Sequence, residues 1–341
     1  MDNIKVLGID LAKNVFQLHG TDSNGEGVLR KRLSREKLVE FMSNLSSCLV
    51  GIEACGGAHY WARLFEEMGH TVKMMSPQFV KPYVKSNKND ANDAEAIAEA
   101  VTRPTMRFVA IKKMAQQDVL LLHRAKELAV KQRTAQANQI RGFLAEYGII
   151  VAQGIHRLWK LPEILDSNED KISSCSKRIF LQLYEQLKIY DEQAKYYDKE
   201  IREQAKTDPR CVAIQSIEGI GPITASAIVA TIGDPTVFRN GREVAAWLGL
   251  VPQQRSSGNK TVLGSITKRG DRYIRTLLIH GARTVIKTCG NKTDKKSQWI
   301  IEKKLRIGFN KTAVALANKN ARTIWAMLAT GESYRKPLAI V

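Results

Sequence analysis

The 341-residue sequence has no run of about twenty apolar residues, which excludes a bilayer-spanning helix. Its opening, Met1-Asp2-Asn3-Ile4-Lys5-Val6, has no apolar h-region, so no secretory leader is expected. The five cysteines (Cys48, Cys55, Cys175, Cys211, Cys289) are odd in number and never in CxxC spacing. That argues against a zinc site or a disulfide framework and for a reducing cytoplasm. Acidic residues are scarce: 34 Asp and Glu stand against 53 Lys and Arg, a formal net charge of +19. With 44% hydrophobic and 26% charged residues, the composition is globular and excludes long disorder or a collagen-like repeat.

What is present in excess is unevenly placed. From Gly241 onward there are 20 Lys and Arg against 5 Asp and Glu. A field of that sign attracts polyanions. Without a basic amphipathic helix bearing exposed aromatics, the expected polyanion is nucleic acid rather than a membrane surface.

The pattern along the chain predicts strands at residues 4–9, 15–19 and 28–33, joined by turns at Lys13-Asn14 and Asn24-Gly25. A short helix opens after Ser34. A strand over 48–52 ends at Glu53, a helix runs from Gly56-Gly57 to about Met68, and a strand covers Thr71–Met75. Three strands in a meander followed by strand–helix alternation predict an α/β layout of the ribonuclease-H kind. Residues 115–147 and 170–206 read as two long helices. In the second, Leu183, Leu187, Tyr190, Ala194, Tyr197 and Ile201 recur at alternating steps of four and three, a coiled-coil seam. The seam serves equally a spacer hairpin or a dimer contact. Thr207-Asp208-Pro209-Arg210 reads as a linker. Gly219-Ile220-Gly221-Pro222 opens a helical run in the manner of half a helix–hairpin–helix clamp, presenting N–H groups to a phosphate. The expected domains are 1–110, 111–206 and 207–341.

Four carboxylates occupy positions this layout makes significant. Asp10 ends the first strand and Glu53 the fourth. Asp90 and Asp93 stand three apart, on one face at the start of a helix over Asp90–Val101. Singly, each reads as a turn or cap residue. Together, on a basic chain, they form the oxygen-rich set that Mg²⁺ prefers for phosphoryl displacement, with Mn²⁺ as a substitute.

Three blocks carry a specific resemblance: Gly8-Ile9-Asp10-Leu11-Ala12-Lys13, Ile52-Glu53-Ala54-Cys55-Gly56-Gly57 and Lys88-Asn89-Asp90-Ala91-Asn92-Asp93-Ala94. They resemble the acidic blocks of DEDD-type insertion-sequence transposases, RuvC-like recombinases guided by a bridge RNA. His123-Arg124, the run Asn138–Leu144, Gly219–Pro222, Trp247–Pro252, Ser257-Gly258 and Thr267–Asp271 extend the resemblance over nearly the whole chain. It implies an N-terminal RuvC-like α/β domain, a coiled-coil hairpin and a mainly helical C-terminal transposase domain. It also implies RNA-guided insertion and excision of a mobile element, with donor DNA, target DNA and a non-coding RNA as partners. The homo-oligomer it implies is a tetramer built from dimers, in which one protomer's carboxylates meet another's serine, in a bacterial cytoplasm on the nucleoid.

Residues 253–260 read as a polar loop between helical segments, and a bare serine in such a loop is no nucleophile signature. By the resemblance, Ser257 aligns with the serine that attacks the DNA phosphodiester and forms a phosphoserine link, with Ser256 one residue away. Arg255, Lys260, Lys268 and Arg269 stand nearby to support a phosphate. Gly270-Asp271 caps a helix to about Cys289, on which Arg272, Arg275, Arg283 and Lys287 fall within roughly 120°. That cationic face suits a polyanion. The rival enzyme is a RuvC-like junction nuclease using metal-activated water, which would not need the second domain. An actin- or sugar-kinase-like ATPase would place a glycine and a hydroxyl residue just after Asp10, where Leu11-Ala12-Lys13-Asn14 has neither. A binding-only, decayed transposase is disfavoured because all four carboxylates and the serine are present.

Overall fold

The computed structural model describes residues 3–85, 90–258 and 260–335; the side chains of Asp90 and Ala91 lie outside it. The chain divides into two compact units, the first ending at Met114 and the second beginning at Ala115.

In the first unit, β1 (Val6–Asp10), β2 (Val15–Thr21) and β3 (Gly27–Ser34) form an antiparallel meander. Then α1 (Arg35–Ser43) leads to β4 (Leu49–Glu53), and α2 (Ala58–Glu67) to β5 (Thr71–Met75). β4 lies parallel to β1, and β5 parallel to β4. After α3 (Pro77–Val80), a 3-10 turn and α4 (Asp90–Val101), the two-residue β6 (Phe108–Val109) pairs antiparallel with β5. The sheet order is β3-β2-β1-β4-β5-β6. The meander and the parallel additions match the sequence pattern. β6 was not legible, because two residues carry no periodicity.

The sheet is covered on both faces, so its central strands read as nearly continuous apolar runs. Leu7, Ile9, Val50 and Ile52 point to one face and pack with Trp61, Ala62 and Phe65 of α2 and with Leu38 and Met42 of α1. Val6 and Leu49 point to the other, packing against Ile97, Ala100 and Val101 of α4. Gly8 and Gly51 share that second face. A Cβ on Gly8 would fall 2.3 Å from the Ala94 carbonyl oxygen, and one on Gly51 2.9 Å from Val101. Those two glycines let α4 lie directly on the strands. The edge strand β3 is mostly exposed and carries Arg30, Lys31 and Arg32, charges that discourage pairing with another chain.

In the second unit, α5 (Met114–Glu146) and α8 (Ser174–Thr207) run antiparallel, with α6 (Ile155–Leu158) and α7 (Leu161–Asp166) between them. The register is visible in two ion pairs: Lys126 with Asp198, and Arg133 with Asp191 at 2.7 Å. Seven residues forward on one helix is seven back on the other. Leu187, Ala194 and Ile201 of the seam are buried; Leu183, Tyr190 and Tyr197 are half-buried. Leu144, Leu158, Leu161, Leu165 and Phe180 close a separate small core where the two short helices pack.

The remainder is α9 (Pro209–Ile214), α10 (Pro222–Ile232), α11 (Gly241–Trp247), the hairpin β7 (Pro252–Ser257) with β8 (Lys260–Ile266), α12 (Arg272–Thr288), α13 (Lys295–Ile307) and α14 (Phe309–Thr330). Two sequence expectations change here. The segment 207–210 is no linker: the Asp208 side chain accepts from the Arg210 N–H and caps α9, with Pro209 at its first position. Residues 253–257 are strand and Lys260 begins the next, so the segment belongs to a two-stranded hairpin and is no loop between helices. Helix α10 is buried nearly throughout. The turn before it has Gly219 at φ +88°, seated on α12 so closely that a Cβ on Gly281 would lie 1.9 Å from the Gly219 carbonyl oxygen. No helix among the described residues is long and apolar enough to cross a membrane.

Candidate active site

Side chains alternate across a strand, so Asp10 points to the same face as Gly8, and Glu53 to the same face as Gly51. That is the α4 face. β1 and β4 are adjacent and parallel, with Ile9 opposite Ile52, so the two carboxylates leave the sheet side by side at its carboxyl edge. The direction of α4 follows from its contacts. Ala94 sits over Gly8, while Thr102 and Arg103, just past the helix end, line one cleft with Thr21, the partner of Val6 at the start of β1. The helix therefore runs antiparallel to β1, and its first turn, with Asp90 and Asp93, points toward the edge that carries Asp10 and Glu53. Asp93 is half-buried; the side chain of Asp90 lies outside the described residues.

A neighbouring thiol registers the carboxylates electrostatically. Desolvation, and after it the charges of Asp10 and Glu53, push the Cys55 thiol above its usual range. Both carboxylates thus act on one place just past β4. Among the described residues no three His, Cys, Asp or Glu side chains stand together closely enough to hold a metal ion. The donor chemistry is nonetheless oxygen-only in all four candidate positions, which suits a hard divalent cation.

The second candidate feature is the β7–β8 hairpin, where Ser257 pairs directly with Lys260 and Arg255 with Val262. Directly opposed residues, and residues two apart, share a face. Ser257 thus has Arg255 and Lys260 on its own side. Ser256 lies on the other, where its hydroxyl accepts a 2.8 Å hydrogen bond from the Gln254 amide. Gly258 turns the chain at φ +56°, a conformation that two-residue hairpin connections favour. Every described residue of the hairpin except Ile266 is exposed, as are Lys268 and Arg269.

The four cations expected on α12 separate in the structure. Arg272 and Lys287 are exposed. Arg283 is half-buried and donates to the Asn310 side-chain oxygen at 2.9 Å. Arg275 is a correction: it is buried, and one guanidinium nitrogen donates to the carbonyls of Leu248 at 3.0 Å and Arg269 at 2.9 Å. Those carbonyls flank the two stems of the hairpin, so Arg275 clamps the base of β7–β8 instead of facing a polyanion. Helical spacing placed Arg275 on the right side of the wheel; only the tertiary fold shows that residues 248 and 269 close over it.

A buried polar triad was not anticipated. The His123 ring of α5 meets the Tyr273 hydroxyl at 3.0 Å and the Ser226 hydroxyl at 3.1 Å, tying α5 to α12 and α10. Burial, with nearby Lys126 and Arg124, lowers its pKa to about 4. In the sequence His123 stands out only as part of the His123-Arg124 block of the resemblance, which says nothing of its partners Ser226 and Tyr273.

A model of a DEDD-type transposase matches residues 7–149, and one described as the transposase IS116/IS110/IS902 family matches residues 211–298. The chain is 46% identical to a Pseudomonas aeruginosa protein named "Probable family 20 transposase", over 98% of this chain and 99% of that one. It is 48% identical to the transposase for insertion sequence element IS1111A of Coxiella burnetii, over 98% and 92%. With the transposase for IS1328 of Yersinia enterocolitica the identity is 38%, over 98% and 100%. The matched segments contain both the acidic sheet edge and the serine hairpin, and the chain belongs to the IS110 family of DEDD-type insertion-sequence transposases, whose members cut and join DNA.

Proposed function

We propose that this transposase inserts and excises its element by RNA-guided DNA strand exchange through a phosphoserine intermediate on Ser257. The observation that carries the reading is the convergence of Asp10 and Glu53 on the face that α4 covers, with the helix start bearing Asp90 and Asp93 directed to the same edge. In this reading residues 1–110 form a RuvC-like domain whose four carboxylates hold Mg²⁺ or Mn²⁺. A cation held there would supply charge neutralisation at the phosphate and ease serine deprotonation.

The Ser257 oxygen attacks phosphorus, forming a serine–phosphate ester and releasing one DNA hydroxyl. A second DNA hydroxyl then attacks that ester and regenerates the serine. No high-energy cofactor is consumed, because each ester replaces one of similar energy. Arg255 and Lys260, on the same side of the hairpin as Ser257, hold the non-bridging oxygens, and Lys268 and Arg269 extend the cationic surface at its stem. Donor and target DNA are chosen by pairing with a non-coding RNA. The protomers assemble as dimers into a tetramer in which the serine of one meets the carboxylates of another.

The test is a covalent protein–DNA adduct on a denaturing gel, with RNA supplied or withheld. Ser257→Ala forms no adduct and no recombinant product, while Ser256→Ala retains both. Adduct formation by Ser257→Ala, or recombination at an undiminished rate without RNA, overturns the corresponding half of the proposal.

A further inference from the structure

The helix pair carries a charged surface that the catalytic constellation does not use. On α8, Lys195, Lys199, Arg202 and Lys206 follow at steps of four, three and four residues and so form one stripe along the helix. All four are exposed. Together with Lys126 and Arg133 of α5 they line an open groove that reaches Pro222, the first residue of α10.

Acidic residues are present but outnumbered. Asp191 serves both Arg133 and Lys195, each at 2.7 Å. Asp198 serves both Lys126 and Arg202. One carboxylate answering two cations leaves a positive charge over in each triad. Lys206 pairs with Glu203 at 2.8 Å, and Lys199, whose charge also acts on Glu203, closes no ion pair within 4.0 Å among the described residues. Asp191 is buried and holds its α5 arginine, but Lys195, Arg202 and Lys206 are themselves exposed. An exposed pair such as Lys206–Glu203 contributes at most about 1 kcal/mol, so these three cations yield readily to a stronger anion.

The groove has no aromatic lining residue, and so no platform on which an unstacked base would rest. The stripe covers eleven residue steps, about 16 Å of helix, which matches the axial rise of about five phosphates along one strand of a duplex.

We infer that this groove docks the sugar–phosphate backbone of double-stranded DNA, independently of base sequence. The inference deepens the proposed function and rests on it only in taking that DNA to be the recombination substrate. Lys195, Lys199, Arg202 and Lys206 contact phosphates, while Arg133 and Lys126 hold Asp191 and Asp198 and keep the two helices in register.

That division of labour supplies a clean variant. Replacing the four α8 cations by glutamine leaves each aspartate its α5 partner, so the melting temperature should stay at the wild-type value. The measurement is the affinity of the full-length protein for a random-sequence DNA duplex between 50 mM and 200 mM salt. Each lost contact should reduce the salt slope by about 0.9, about 3.6 in all, so the salt penalty across that range shrinks about a hundred-fold. The pair Lys199→Gln with Lys206→Gln, which touches no aspartate, should give about half that change in slope. A control that removes four exposed cations of the first unit, Lys5, Arg32, Lys37 and Lys81, should leave the slope near the wild-type value.

An unchanged slope for duplex DNA in the quadruple variant overturns the inference, as does a loss confined to structured RNA. Both results leave the serine chemistry standing, since adduct formation is read separately. A wild-type protein that binds duplex with the expected slope but never forms an adduct sinks the proposed chemistry and not the groove.

Discussion

The acidic edge of the first unit and the serine hairpin of the second are built on opposite terms. Asp10 and Glu53 sit at the ends of two buried central strands, with a helix lying on glycines beside them. Ser257 sits near the tip of an exposed strand pair fixed at its stem by one buried arginine. Carboxylates that must share a cation repel one another, so they need a frame that does not yield. A nucleophile that must reach a substrate backbone needs the reverse: a projection with little packed around it. The demands of the proposed chemistry therefore match the two architectures.

The strongest way to break this contrast is to remove the charges. Asp10→Asn, Glu53→Gln, Asp90→Asn and Asp93→Asn should each cut recombination by at least about 10²–10³-fold, with circular dichroism and melting temperature retained. Near-wild-type recombination in all four would dissolve the acidic site. Next in size is the glycine test. Gly8→Ala forces a Cβ into the backbone of α4 and should cost about 1–3 kcal/mol, with recombination falling further than stability. Gly258→Ala meets open space and should cost only about 1 kcal/mol, for its positive φ. Equal losses in chemical denaturation would mean that the two sites are equally constrained.

Arg275→Gln tests the stem. It orphans at least one buried carbonyl, for about 1–3 kcal/mol, and should slow adduct formation while leaving the salt slope of duplex binding unchanged. A flattened slope would return Arg275 to the nucleic-acid surface. The smallest effect is pH-dependent. His123 is held neutral, with its pKa lowered to about 4 from an ordinary value of 6.5. The unfolded chain therefore takes up the proton first. The stability that His123 contributes is intact above about pH 6.5 and drains away as pH falls toward 4. His123→Gln should flatten that part of the stability profile, measured by urea unfolding at several pH values. An unaltered profile would assign the loss elsewhere, His59 being the other histidine lowered to about 4.

The first unit was far more legible in sequence than the second. Its strands alternate or run apolar between turn residues, so β1 to β5 and α4 appear where the pattern puts them, and the significance of Asp10 and Glu53 follows from being at strand ends. The hairpin β7–β8 had no such signal. All but one of its described residues face water, and Gln253-Gln254-Arg255-Ser256-Ser257 has neither alternation nor a buried face, so it reads as loop. Arg275 failed for a different reason: helical periodicity says which residues share a side, and not which side another segment will cover. Ser257 drew its significance from resemblance alone, because a lone hydroxyl needs context to be read as a nucleophile.

The antiparallel register of α5 and α8 has a dimensional consequence. Thirty-three residues of helix extend about 50 Å, and the Lys126–Asp198 and Arg133–Asp191 pairs, spaced by a full heptad on each partner, forbid one helix from sliding along the other by a turn without leaving both aspartates against the wrong side chains. The pair is thus a gauge block. Whatever binds at its far end, around Leu158 and Leu165, is held at a set distance from the core around α10, and lengthening both helices by one matched heptad would move that point outward by about 10 Å with the same ion pairs still closed.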